Sequence, residues 1–193
     1  VEVPNIGKEP EKYIFHIDRA KYFENVNLSK EDFTRSSYYK TNAKRESEKI
    51  KFKNYDNYLT SLKMTTDLKK FQEGDISRIA QLINKTNQFN LTTRRLGLKE
   101  ITDISKSSNF LTISGNLKDK FGDNGLITVF IGKIKKQTLD IIVWLMSCRV
   151  FNRNLELALF DHLISFCKKN GISTIYGYYI KSKKNFIVKD LYK

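Results

Sequence analysis

An apolar run from Leu139 to Leu145 gives way to the polar stretch Met146-Ser147-Cys148-Arg149-Val150-Phe151-Asn152-Arg153-Asn154, and helical spacing follows from Leu155 to Lys169. No other feature constrains the fold as strongly. The apolar run reads as a buried strand. Leu155, Leu159, Leu163 and Phe166 recur at helical spacing and give the helix a core-facing stripe. A strand that ends in a short Arg-bearing loop and opens directly into a helix is suited to hold an anion. The first N–H groups of the helix have no partner inside it, and its dipole favours negative charge there. The same residues also suit an ordinary strand-to-helix connection, and both readings stay open at this point.

The rest of the chain supplies the frame. Asn170-Gly171 ends the helix with residues that accept a left-handed conformation, and a strand is read from Ile172 to Ile180. A crossover helix of this length joins parallel strands, so the strands from Leu139 and from Ile172 are expected to be parallel neighbours, splayed at their C-terminal ends. Upstream, Leu62 to Leu68 alternates apolar and polar and predicts a first strand. Asp75 is read as the cap of a helix with the stripe Ile76, Ile79, Ala80, Leu82 and Ile83. Thr92 or Thr93 opens a second helix carrying Leu96, Leu98 and Ile101. Phe110 starts a strand, Gly122-Asp123-Asn124-Gly125 is read as a turn, and Leu126–Ile134 and Leu139–Met146 complete an antiparallel meander. Asn185 to Tyr192 predicts a last short helix. The order β-α-α-β-β-β-α-β-α makes an α+β fold, a mixed sheet flanked by helices. Residues 1–60 form an N-terminal helical extension. There Ser29-Lys30-Glu31-Asp32 matches a capping box and predicts a helix from about Lys30 to Lys49, with Phe33, Tyr38 and Ala43 as contact positions.

Composition narrows the classes. No apolar run approaches the length of a membrane-crossing helix, and Val1-Glu2-Val3-Pro4 lacks the basic-then-apolar pattern of a signal peptide. Two cysteines, Cys148 and Cys167, make no disulfide scaffold and are expected as reduced thiols in a cytoplasmic protein. His16 and His162 have no ligand partners at metal spacing, so no metal is expected. The net charge is +14, and a basic surface attracts polyanions or acidic proteins. The Lys residues are spread rather than striped, and no zinc-finger or RNP-type motif accompanies them, so nucleic acid is not the expected partner.

Three segments resemble one family. They are Asn84-Lys85-Thr86-Asn87-Gln88-Phe89-Asn90-Leu91-Thr92-Thr93-Arg94-Arg95, Phe121-Gly122-Asp123-Asn124-Gly125-Leu126 and Leu145-Met146-Ser147-Cys148-Arg149-Val150. Together they look like the C-terminal GNAT-like half of FkbH-like proteins, which carry an N-terminal phosphatase-like domain of the haloacid dehalogenase superfamily. The resemblance implies that residues 1–60 are the tail of that upstream phosphatase-like domain with a connecting helix, and that 61–193 are a GNAT-like domain. The chain does not begin with Met, which suits a piece of a longer protein. The phosphatase-like nucleophilic Asp motif is absent, so no phosphatase activity is expected of this chain.

The resemblance also implies a chemistry. GNAT domains place the pantetheine arm of coenzyme A, or of a phosphopantetheine-bearing acyl carrier protein, between two splayed strands. Met146, Ser147 and Cys148 would lie beside the acyl group. The superfamily's phosphate loop runs Gln or Arg, two residues, Gly, one residue, then Gly or Ala. Here Arg149 fits, while Asn152 and Asn154 stand where glycines are expected. Glycine admits a pyrophosphate without a Cβ in the way. Asparagine tolerates left-handed backbone but adds bulk, and Arg149 and Arg153 are the cations that would compensate. Tyr192 matches the position of a proton-donating Tyr, and Asn185 the Asn that begins the last helix. Cys148 is a candidate thiol acceptor beside Arg149 and a helix N-terminus. Asn87, Gln88, Asn90 and Arg94 lie where the family walls the acceptor site. Each of these also has a structural reading: Tyr192 as a rim aromatic, Cys148 as a small packed residue, the Asn-rich string as helix caps and loop ties. The activity implied is loading of a short acyl unit, such as a glyceryl group, onto an acyl carrier protein. The alternative is a degenerate GNAT fold that only docks the carrier protein or its phosphopantetheine arm.

Overall fold

Asn54 accepts from the backbone N–H groups of Asp56 and Asn57 at 2.7 and 3.2 Å, and this cap starts the helix that leads into the sheet. The computed structural model describes residues 6–19, 21 and 30–192, with residues 30–37 described by their backbone alone. The chain forms two compact units, Val1–Ala43 and Lys44–Lys193. The first unit contains α1 (Tyr13–Arg19) and the start of α2 (Lys30–Lys49). The second holds the end of α2, then α3 (Tyr55–Ser61), α4 (Ile76–Lys85), α5 (Leu98–Lys106) and α6 (Leu155–Lys169). Its strands are β1 (Thr65–Lys69), β2 (Phe89–Asn90), β3 (Phe110–Asp119), β4 (Gly122–Lys135), β5 (Thr138–Met146) and β6 (Thr174–Tyr176). The helix expected from Lys30 to Lys49 is there, while its cap Ser29 and the side chain of Phe33 lie outside the described residues. The second compact unit begins at Lys44. Tyr58, Leu59 and Leu62 are buried in one cluster against Phe52, Met64 and Phe121.

One sheet organises the second unit. Its order is β1-β3-β4-β5, all antiparallel. Beyond β5, β6 pairs in parallel with its N-terminal half and β2 pairs antiparallel with its C-terminal end. Side-chain alternation splits the apolar residues between two faces. Val129, Ile131, Val143 and Leu145 join the stripe of α4 and α5. Phe130, Ile141, Trp144 and Met146 join Leu155, Leu159 and Leu163 of α6. Ile141 and Trp144 share a face although three apart, because a register shift between Ile131↔Val143 and Gly132↔Ile141 leaves Ile142 as an extra residue. This is the α+β arrangement of a mixed sheet flanked by helices that the sequence predicts.

Several boundaries differ from expectation for local reasons. Asp75 ends a 3-10 turn, Glu73–Asp75, and makes no side-chain cap. Thr92 opens no helix: its hydroxyl donates to the Ile142 carbonyl, and α5 begins at Leu98 after Gly97. The turn read at Gly122–Gly125 lies inside β4, because the hairpin reverses at Lys120-Phe121. The strand read to Ile180 pairs only over Thr174–Tyr176, and the last helix is a single 3-10 turn, Phe186–Val188.

Candidate functional site

β5 and β6 run side by side, Leu139 opposite Ile175 and Asp140 opposite Tyr176, and their ladder then stops. The expected parallel pair with a splay is therefore present. The splay is not left open. Phe89 and Asn90 pair with Met146 and Leu145. The Leu91 N–H donates to the Trp144 carbonyl at 3.2 Å, and Ile180 N–H donates to the Leu91 carbonyl at 2.8 Å. Thr92 Oγ1 donates to the Ile142 carbonyl at 2.7 Å. The residues of β5 expected to offer backbone groups to a pantetheine arm are thus occupied by the chain's own segment 89–92.

Buried side chains hold this segment in place. Asn185, fully buried, donates through Nδ2 to the carbonyls of Asn90 and Ile180, each at 2.9 Å. Its Oδ1 accepts from the Ser182 N–H at 2.8 Å and the Tyr179 hydroxyl at 3.4 Å. Asn90, also fully buried, accepts from the Thr93 N–H at 2.9 Å, and Thr93 takes the left-handed φ of 54°, uncommon for a β-branched residue. Arg95 donates to Asn87 Oδ1 and to the Ile83 carbonyl. Gln88 is exposed, and Arg94 pairs with Glu100 at 3.4 Å on the surface. Of the four expected acceptor-site residues, Asn87 and Asn90 therefore tie the loop together, while Gln88 and Arg94 face outward.

The loop after β5 turns tightly before α6. Ser147 N–H donates to the Ile127 carbonyl at 2.7 Å, and Cys148–Val150 make one 3-10 turn. Asn152 and Asn154 adopt left-handed φ of 59° and 57°. This is the conformation for which the family pattern carries glycine, and asparagine reaches it at lower cost than most residues. The Tyr55 hydroxyl fixes the turn from outside by donating to the Asn152 carbonyl at 2.6 Å. α6 then starts without a side-chain cap.

The charges around this loop are arranged for structure. Arg153 Nη1 pairs with Asp119 at 3.0 Å and its Nη2 donates to the Arg149 carbonyl at 3.1 Å. Arg45 binds the same carboxylate through two donors at 2.8 and 3.0 Å. The Asp119 and Arg45 side chains are 0% and 3% exposed. Burial pushes the Asp119 carboxyl up, but the Arg45 hydrogen bond, the Phe121 N–H and the two guanidiniums outweigh it and hold the group below the ordinary range. Burial, and next the charge of Arg45, pull Arg153 down, against the attraction of Asp119. No spacing in the sequence links Arg45, Asp119 and Arg153, so this cluster has no sequence signature.

A cavity of about 230 Å³ opens at the mouth of α6, lined by Phe89, Met146, Asn152, Glu156, Asp190 and Leu191 among others. Its charged lining is two carboxylates, an unfavourable setting for phosphate. Cys148 is exposed and does not line it. Tyr192 packs across Gly177, where an added Cβ would meet its ring at 2.7 Å, and lies 6.2 Å from Trp144 between ring centres. Burial raises its pKa, so the phenol keeps its proton at neutral pH. Among the described residues no group of His, Cys, Asp or Glu is arranged to hold a metal, and no helix is long and apolar enough to cross a membrane.

No family model matches the chain, and no curated protein matches it. Among solved structures the chain is similar to the ribosomal-protein-S18-alanine N-acetyltransferase from Escherichia coli, at 13% identity and TM-score 0.44, covering 57% of this chain and 64% of that one. It is similar to the PaiA N-acetyltransferase from Thermoplasma acidophilum in complex with coenzyme A, at 13% identity and TM-score 0.48, covering 66% and 86%. It is also similar to the ribosomal-protein-alanine N-acetyltransferase from Brucella melitensis biovar Abortus 2308, at 11% identity and TM-score 0.49, covering 66% and 88%. The chain spans less than two thirds of the first of these structures.

Proposed function

We propose that this chain is a GNAT-like domain whose coenzyme slot is filled by its own β2, and that it serves as a docking module for an acidic acyl carrier protein. The pairing of Phe89–Leu91 with Trp144–Met146 carries this reading, because a pantetheine arm would need the same strand edge. Two features support it. Arg153 is spent on Asp119, and the cavity at α6 presents Glu156 and Asp190. The net charge of +14 favours an acidic partner at long range. The upstream neighbour in the full-length protein is, on the resemblance, a phosphatase-like domain to which the carrier would be presented.

Titration of the chain with coenzyme A and with a carrier protein, with and without its phosphopantetheine arm, tests the reading. The expected result is carrier binding that does not depend on the arm, with no detectable binding of coenzyme A. Binding of coenzyme A, or turnover of an acyl thioester, overturns it.

A second reading has an observation of its own. Asn152 and Asn154 both take left-handed φ, the conformation that glycines would have in the phosphate loop the resemblance implies. If β2 swings out, the domain becomes an acyltransferase for a short acyl unit such as glyceryl on coenzyme A or a carrier. On this reading Met146, Cys148, Arg149, Asn185 and Tyr192 take the roles that the family resemblance implies for them.

A further inference from the structure

β6 is the last strand on its side of the sheet. The inner side of β6 and of the extended residues that flank it is used: Ser173 and Thr174 N–H groups donate to the Gln137 carbonyl, and Ile180 N–H, past the end of β6, to the Leu91 carbonyl. The outer edge of β6 carries no strand among the described residues. The side chains alternate along this segment. Ile175 and Tyr179 pack into the core of the α6 face. Tyr176, Tyr178 and Ile180, two apart, are 49%, 49% and 53% exposed. An apolar stripe beside an unpaired edge is a template for a further strand.

The charge beside the stripe selects the partner. Lys181, Lys183 and Lys184 follow it directly and are exposed. Tyr178 and Ile180 also wall a cleft of about 570 Å³ whose other lining includes Arg94, Lys133 and Lys135, against one carboxylate, Asp140. A second copy of this chain would bring its own +14 to a positive edge, which opposes self-pairing.

We propose that the segment Thr174–Ile180 binds an extended acidic segment of another protein, added as an outer strand with apolar side chains on Tyr176, Tyr178 and Ile180 and carboxylates toward the lysines. Backbone pairing supplies affinity in this mode, and the stripe and the charge supply selectivity. The surface is separate from the cavity at α6, and the proposal does not rest on the carrier-protein reading.

The test uses two capped, fluorescent peptides of about six residues, the usual strand length, one alternating glutamate with valine and the other lysine with valine. The acidic peptide is expected to bind at least about tenfold tighter by anisotropy, and to slow amide exchange at residues 174–180. Tyr178→Glu should weaken it, and exchanging Lys181, Lys183 and Lys184 together for Glu should reverse the preference, with circular dichroism confirming both folds. Equal affinity for the two peptides, protection elsewhere on the chain, or no binding overturns the proposal. So does a concentration-dependent dimer that protects the same residues, which would assign the edge to a second copy.

Discussion

Asn185 ties the separate segments of the site together. Its amide bridges the carbonyls of Asn90 and Ile180, which belong to segments far apart in sequence, and its oxygen anchors Ser182. Each net hydrogen bond is worth about 1 kcal/mol, and an orphaned buried acceptor costs more. Asn185→Ala is therefore expected to destabilise by about 2–3 kcal/mol, read as a lower urea midpoint with an unchanged m-value. A change within error would make the amide dispensable. Asn154 makes a cleaner contrast. At φ 57° an alanine pays the left-handed penalty of about 1 kcal/mol, while glycine does not. Asn154→Ala should lower stability and Asn154→Gly should leave it near the parent; equal effects would remove the left-handed turn from the account. Asp119 sets the acid limb. Its folded pKa lies below the unfolded value, so its contribution is fully present above about pH 3.9 and is lost as pH falls through the folded pKa. Asp119→Asn leaves two guanidiniums facing a neutral amide and should cost about 3–5 kcal/mol, with a flatter decline below pH 4. Parallel acid limbs for parent and variant would place the titration elsewhere.

At the scale of elements the sheet was legible and its plug was not. Leu139–Leu145, the α6 stripe and Asn170-Gly171 each carry a period or a stop signal, and they fix the crossover and the parallel pair. Asn152 and Asn154 were readable as left-handed positions because they stand where a pattern wants glycine. β2 offers no such signal. Two paired residues have no periodicity, and the polar string around them reads as an exposed loop, yet Asn90 is fully buried because its polar atoms are satisfied locally. The Thr92 hydroxyl looked like a helix cap for the same reason: its partner, Ile142, is 50 residues away in sequence. Whether β2 is a fixed wall or a displaceable one follows from its ties. Breaking the Asn185 bridge should raise amide exchange at Phe89–Leu91 and at Leu145-Met146 while leaving Val129–Ile131 in the sheet centre protected. If coenzyme A affinity appears in Asn185→Ala but is absent in the parent, β2 is the element that closes the slot. Faster exchange with no gain of affinity would assign the closure to the acidic lining of the cavity instead.

For the molecule as a whole, charge and fold act at different ranges. Thirty-five Lys and Arg against 21 Asp and Glu leave +14, and several of the acidic groups are already paired, Asp119 with Arg45 and Arg153, Glu48 with Lys120, Asp140 with Lys135. The surplus is thus mostly exposed lysine, which guides an encounter more than it strengthens a contact. Exposed charges are screened over about 10 Å at 0.1 M salt and about 3 Å at 1 M. If an acidic carrier protein is the partner, as proposed, its affinity should therefore fall steeply with salt, chiefly through a slower association rate, while dissociation changes little. The pH response has a defined sign. It is set by the partner: binding should weaken as an acidic carrier's carboxylates protonate near pH 4. Stopped-flow association at several salt concentrations separates these expectations. An association rate insensitive to salt would mean that the basic surface does not steer the partner, and a complex that tightens with salt would point to an apolar contact rather than the basic surface as the principal interface.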